Sequence, residues 1–140
     1  MLEILEKEKP AQLDILESIQ RANSYEIAEL SKGFAKVVLN LSNVQTLDNS
    51  TTVFEGEIFK VANFSALAAV NVENSFVISA NVDFLSQIEI SSQAVVFEAK
   101  SLSSSLGKRF VEVIGKIDDI TIFLGNFTVL KLDNRSKIKV

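Results

Sequence analysis

The sequence predicts an α+β domain in which one antiparallel sheet curls around a single buried helix. Three observations lead there. Five segments carry apolar residues at a period close to two, the mark of half-buried strands. One segment, 54–70, ends in VANFSALAAV, apolar at eight of ten positions, and a helix apolar all round must be surrounded. No further helix follows it, so the strands that come next must supply the cover.

Taken in order, residues 1–30 read as helix. Leu2, Leu5, Leu13, Leu16, Ile19, Ile27 and Leu30 recur at roughly helical spacing among Glu, Lys and Gln. Pro10 interrupts the run and suits the first turn of a second helical piece over 11–22. Ser31, Lys32 and Gly33 then end the helical region. From Phe34 the period changes: Val37, Leu39 and Leu41 alternate with Lys36, Asn40 and Ser42, which predicts a strand. Residues 46–52 are polar and turn-like.

The segment 54–70 begins amphipathic, with Phe54, Ile58 and Val61 set against Glu55, Glu57 and Lys60. Ala62, Ala66, Ala68 and Ala69 then allow a sheet to approach closely. In 75–85, Phe76, Ile78, Ala80, Val82 and Phe84 are expected to share one face. Segments 93–102, 108–117 and 120–132 complete the sheet, joined by hairpins at Leu106-Gly107-Lys108 and Asp118-Asp119. In the last strand the apolar parity flips at Gly125-Asn126, which predicts a β-bulge or bend at that point. The organisation is an N-terminal helical segment over 1–33, the sheet-and-helix domain over 34–132, and a polar tail over 133–140. A sheet curled in this way leaves an edge strand open, so a homodimer, or a higher oligomer, is expected.

Composition narrows the chemistry. At 140 residues the chain makes one domain large enough to bury a core. With no Cys, thiol nucleophiles, thiolate metal sites and disulfides are excluded. With no His, Ser-His and Cys-His pairs and His-ligated metals go too, and no metal or bound cofactor is expected. Acid–base chemistry is left to the 18 carboxylates, Tyr25 and the lysines. A net charge of −4 without a dense basic block argues against nucleic acid. The acidic start, MLEILEKEKP, lacks the basic region of a signal peptide, and the longest apolar run is only 66–70. The expectation is a cytoplasmic protein with no membrane contact.

This order of elements, with several local strings, resembles the hot-dog fold of acyl-CoA thioesterases and their non-enzymatic relatives, over about residues 34–132. Gly56 followed by IFKVANFSALAAV resembles the central helix of phenylacetate-type thioesterases, where a glycine pair precedes a Leu-Ala-Asp string. VDFLSQIEISSQAVVFEAKSLSSSLGKRFVEV resembles their strands, with an aromatic-Leu pair and a Gly-Arg hairpin. The effector domain of the fatty-acid-synthesis repressor is also similar, with an Ala-Asn string in the same helix. So are non-enzymatic hot-dog proteins co-regulated with flagella and tied to virulence.

The resemblance implies an acyl-CoA or coenzyme A ligand between two subunits, and it identifies candidate residues. Backbone N–H groups near Gly56 polarise the thioester carbonyl in the family, or Gly56 simply serves the helix entry. The helical acid that acts as base or nucleophile falls on Asn63, and an amide is no general base near neutral pH. His-Gly ahead of the helix glycine becomes Phe54-Glu55, and the Pro after the aromatic-Leu pair becomes Ser86. Glu57, in the first helical turn, is the alternative carboxylate for activating water, or a dipole-complementing surface acid. Lys108 and Arg109 form a basic hairpin suited to the phosphates of coenzyme A, or are merely solvated. Phe59 is one of several phenylalanines that build the core or line an acyl tunnel. The implied function is a hot-dog protein that binds acyl thioesters with impaired or no hydrolysis, in a regulatory role. The alternative is an acyl-CoA thioesterase with a carboxylate-activated water.

Overall fold

The computed structural model describes residues 11–23 and 25–132. The expectations for residues 1–10 and for the tail over 133–140 lie outside the described residues. The helical reading of the N-terminal region holds only for α1 (Glu17–Asn23). Ile27 and Leu30 belong instead to a strand, β1 (Glu26–Ser31). Ser31-Lys32-Gly33 turns the chain back into β2 (Phe34–Asn40), with Gly33 at φ +77°, where glycine carries no steric penalty. Tertiary pairing overrides the local helical spacing here. Leu30 stands opposite Ala35 and is buried, and Lys36 reaches both Glu29 (3.3 Å) and Glu98 (3.4 Å) across three strands.

The central helix is α2 (Glu55–Val70), followed by β3 (Ser75–Phe84), β4 (Ala94–Ser105), β5 (Lys108–Ile117) and β6 (Ile120–Lys131). The six strands form one antiparallel sheet in the order β1-β2-β4-β5-β6-β3. Strict alternation buries Ala35, Val37 and Leu39 of β2, Val95, Phe97 and Ala99 of β4, and Val111 and Val113 of β5. These line the concave face, where α2 packs against all six strands. Ile58, Val61, Ala62, Phe64 and residues 65–69 of α2 are buried, and the Ser65 hydroxyl donates to the Val61 carbonyl at 2.7 Å. Asn71 ends the helix in the left-handed region (φ 52°), its N–H returning to the Leu67 carbonyl at 2.7 Å.

Two strand readings need correction. In β3 a bulge falls between Val77 and Ser79. One extra residue turns every later side chain to the other face. Phe76 therefore stands opposite half-buried Leu130 on the outer face, while Ala80, Val82 and Phe84 stand opposite Phe127, Gly125 and Phe123 on the inner one. The five apolar residues do not share a face. In β6 the bulge exists, but not at Gly125. The register shifts opposite Gly115 and Lys116, which makes Ile122 the extra residue. Phe123, Gly125, Phe127 and Val129 then stay in phase and buried. Gly125 is small for another reason: a Cβ there would meet Phe127 Cε1 at 2.7 Å and Phe123 Cε1 at 3.0 Å. The two rings close over it.

Candidate functional site

The N-terminal end of α2 is built to leave backbone donors available. Phe54 precedes the helix in extended geometry (φ −68°, ψ 127°) and no side chain caps it. Helix-start amides and the dipole then face outward with partial positive charge. Glu55 and Glu57 occupy this first turn, and the Phe54 ring lies over Gly56 closely enough that a Cβ there would meet its Cζ at 2.8 Å.

Beside this helix end a cavity of about 170 Å³ opens between α2 and the loop after β3, walled by Val53, Glu55, Ile58, Phe84, Ile88 and Ile122. A second cavity of about 280 Å³ shares Ile88 and Ile122 and continues to Ile117 and Ile120. The sequence alone does not mark Ile58, Ile88 or Ile122 as lining residues. They come together because the loop over 85–93 folds back onto the segment 51–53 just before α2, through a bridge between Thr52 and Glu89. Val53 N–H donates to the Ile88 carbonyl (2.7 Å) and Ile90 N–H to the Thr51 carbonyl (2.8 Å). The Glu89 carboxylate accepts from both Thr51 and Thr52 hydroxyls, and these bonds hold it below its usual range. A depressed carboxylate contributes stability that is present above its unfolded pKa and is lost as pH falls through the folded one. Glu89→Gln is therefore expected to flatten the fall in Tm between about pH 5 and pH 3, as read by thermal unfolding across that range.

The predicted site residues divide into three groups. Gly56, Phe59 and Asn63 follow at three- and four-residue spacing on one helix face, each half-buried, with Val70 further along it. Phe59 packs on Phe127 of β6 (5.9 Å between ring centres), so this face looks toward the β6–β3 edge. Asn63 is not enclosed as an all-apolar helix would require, because the sheet of one chain stops short of this stripe. Glu57 points elsewhere. Its carboxylate meets Lys60 at 3.3 Å, with its side chain 15% exposed, and lies near Tyr25 of the β1 side. Lys108 and Arg109 are exposed at the start of β5, beside the segment leaving the C-terminal end of α2, where Leu132 N–H donates to the Asn74 carbonyl. Within one chain they stand at the end opposite Gly56.

A six-stranded antiparallel sheet wrapped on one long helix, with an uncapped helix start beside a cavity of mixed lining, defines a hot-dog protein. The chain is similar to a variant of an HP0420 homologue from Helicobacter felis, at 30% identity over 88% of this chain and 86% of that one, TM-score 0.78. It is therefore a member of the thioesterase-like hot-dog family. It is also similar to Cj0977 of Campylobacter jejuni, described as a sigma28-regulated virulence protein, at 27% identity over 86% and 87% of the chains, TM-score 0.76. An uncharacterized protein, PH1136 of Pyrococcus horikoshii, matches with TM-score 0.82 at 22% identity over 90% and 96%, a likeness of fold. PaaI of Escherichia coli (16%) and a Streptococcus pneumoniae thioesterase solved with coenzyme A (13%) share that fold at TM-scores of 0.73 and 0.66. No family model matches the chain. The curated relative it matches is a methylthioribose-1-phosphate isomerase of Aquifex aeolicus, 27% identical over 106 residues, and the chain spans 23% of that protein's length. Among the described residues no helix is long and apolar enough to cross a membrane.

Proposed function

We propose that this protein is a homodimer that binds an acyl thioester at the start of α2 and does not hydrolyse it, serving a regulatory rather than a metabolic role. The observation that carries this reading is Asn63. It stands where the resemblance places the catalytic acid, about two turns along α2 from an uncapped helix start whose backbone donors remain fit to receive a carbonyl. Binding geometry is kept while the proton acceptor is replaced by an amide.

Dimerisation is supported by the two sheet edges. β1 is short and carries Glu26 and Glu29, the usual protection of a free edge. β3 is ten residues long, with Phe76, Ile78 and Phe84 each about 40% exposed. Antiparallel pairing of β3 with its copy would bring the partner's Lys108 and Arg109 to the end where α2 begins. Phosphates of coenzyme A then have a basic neighbour there.

The test is a titration with acetyl-, octanoyl- and palmitoyl-CoA, followed by thermal shift and by a thiol-reactive dye. The expected result is a ligand-dependent rise in Tm with no thiol released, and a weaker rise in Gly56→Val. Thiol release that disappears in Glu57→Gln would instead establish hydrolysis: water adds to the carbonyl carbon as Glu57 takes its proton, the C–S bond breaks, and Glu57 returns that proton to the departing thiolate. Absence of both binding and turnover overturns the acyl-thioester reading.

A further inference from the structure

Ile122 is the residue that the β6 bulge inserts, and it is 4% exposed although the next residue, Phe123, is buried as well. In a regular strand one of two successive side chains of a half-buried sheet faces outward. The bulge lets both stay buried, and Ile122 thereby walls both of the cavities beside the start of α2, as Ile88 does.

The smaller cavity has an apolar floor and a polar rim. Val53, Ile58, Ile88 and Ile122 are buried, while Glu55, Ser86 and Gln87 are exposed. Backbone groups of the floor are spent within the protein: Val53 N–H on the Ile88 carbonyl (2.7 Å), and the Ile122 carbonyl on Leu85 N–H (2.9 Å). A polar group pushed to the floor would lose its bonds to water and gain none there. At the rim stands Glu55, which with Gly56 opens α2 and has no acceptor for its N–H within the helix.

We propose that Ile122 is a specificity-determining residue, closing off a pocket for an acyl tail of about six carbons. This rests on the reading of the helix start as an acyl-thioester site. A protein cavity of about 150 Å³ takes a benzene ring, so a cavity of about 170 Å³ suits a short acyl tail whose carbonyl stays at the rim. The wall is fixed rather than elastic, because the 85–93 loop is tied down at Leu85, Ile88, Glu89 and Ile90. A longer tail has two courses. It displaces Ile88 or Ile122 to enter the neighbouring cavity of about 280 Å³, or it lies across the exposed rim, where further methylenes gain little from burial.

The experiment titrates the full chain with acetyl-, hexanoyl- and dodecanoyl-CoA by calorimetry. Affinity is expected to rise about tenfold or more from acetyl to hexanoyl, the gain from burying the added methylenes, and then to stay level to dodecanoyl. Ile122→Ala joins the two spaces, so dodecanoyl-CoA should then bind about tenfold tighter than hexanoyl-CoA. Ser86→Trp, at an exposed rim position, fills the mouth and should bring the hexanoyl affinity down to that for acetyl-CoA. It decides the matter should Ile122→Ala fold poorly. Affinity that climbs steadily to dodecanoyl in the unaltered chain, or a length profile untouched by Ser86→Trp or by folded Ile122→Ala, overturns the proposal and leaves the acyl-thioester reading standing. Absence of binding by every acyl-CoA overturns both.

Discussion

Phe123→Ala is expected to lower the unfolding free energy by about 3–5 kcal/mol, the usual range for emptying a buried aromatic site. Phe123 is fully buried and joins two parts of the core. Its ring meets Phe84 edge-on at 5.5 Å and Phe97 at 6.1 Å, while its Cβ presses toward Gly115. Phe97 and Phe127 are buried and cannot fill the space, and only half-exposed Phe84 can move toward it. Against a typical total of about 5–15 kcal/mol, such a loss removes a large share of the stability. Urea denaturation with Ile120→Ala as control separates the site from a general effect, since Ile120 is 69% exposed and its loss should cost about 0.5 kcal/mol or less. A cost below about 1 kcal/mol for Phe123→Ala would mean that the sheet does not close tightly over the helix.

Ile78→Glu is expected to convert the proposed dimer to monomer. Ile78 is 40% exposed at the bulge of β3, so the change leaves the fold intact. Placed against a paired copy, the carboxylate would have to be desolvated without a partner, at a cost of about 2 kcal/mol or more. Sedimentation should show the mass halved. Acyl-CoA affinity should fall with it, because the basic hairpin of one protomer and the helix start of the other then separate. A variant that stays dimeric with unchanged stability would exclude β3 as the interface.

Most elements from Phe34 onward were legible in the residues. Alternation from Phe34 needs only local periodicity, and Phe34–Asn40 is a strand with the expected inward face, Val37 and Leu39, while Lys108–Ile117 is a strand as expected. The uniform apolarity of 61–70 required enclosure, and within it every residue but Asn63 and Val70 is buried. β1 was not legible, because Ile27 and Leu30 at three-residue spacing fit a helix as well as a strand carrying a bulge, and one does lie between Ile27 and Glu29. The bulges of β3 and β4 escaped, and that of β6 was misplaced, for a related reason: an inserted residue shifts parity somewhere in a strand, but the register of the neighbour decides where.

The site divides along the same line. That the helix carries an amide at position 63, and acids but no capping side chain at its start, is written in the chain. Which way each points is not. Glu57 and Asn63 look close in sequence, yet helical geometry sends one to Tyr25 and the other toward the β6–β3 edge. The burial of Tyr25 could not be read in advance, since it exists only because the elements around it converge in the fold. Local periodicity and residue chemistry depend on neighbours along the chain, and these the sequence by itself determines. Faces, bulges and cavities depend on neighbours across the sheet, and only the tertiary structure decides those.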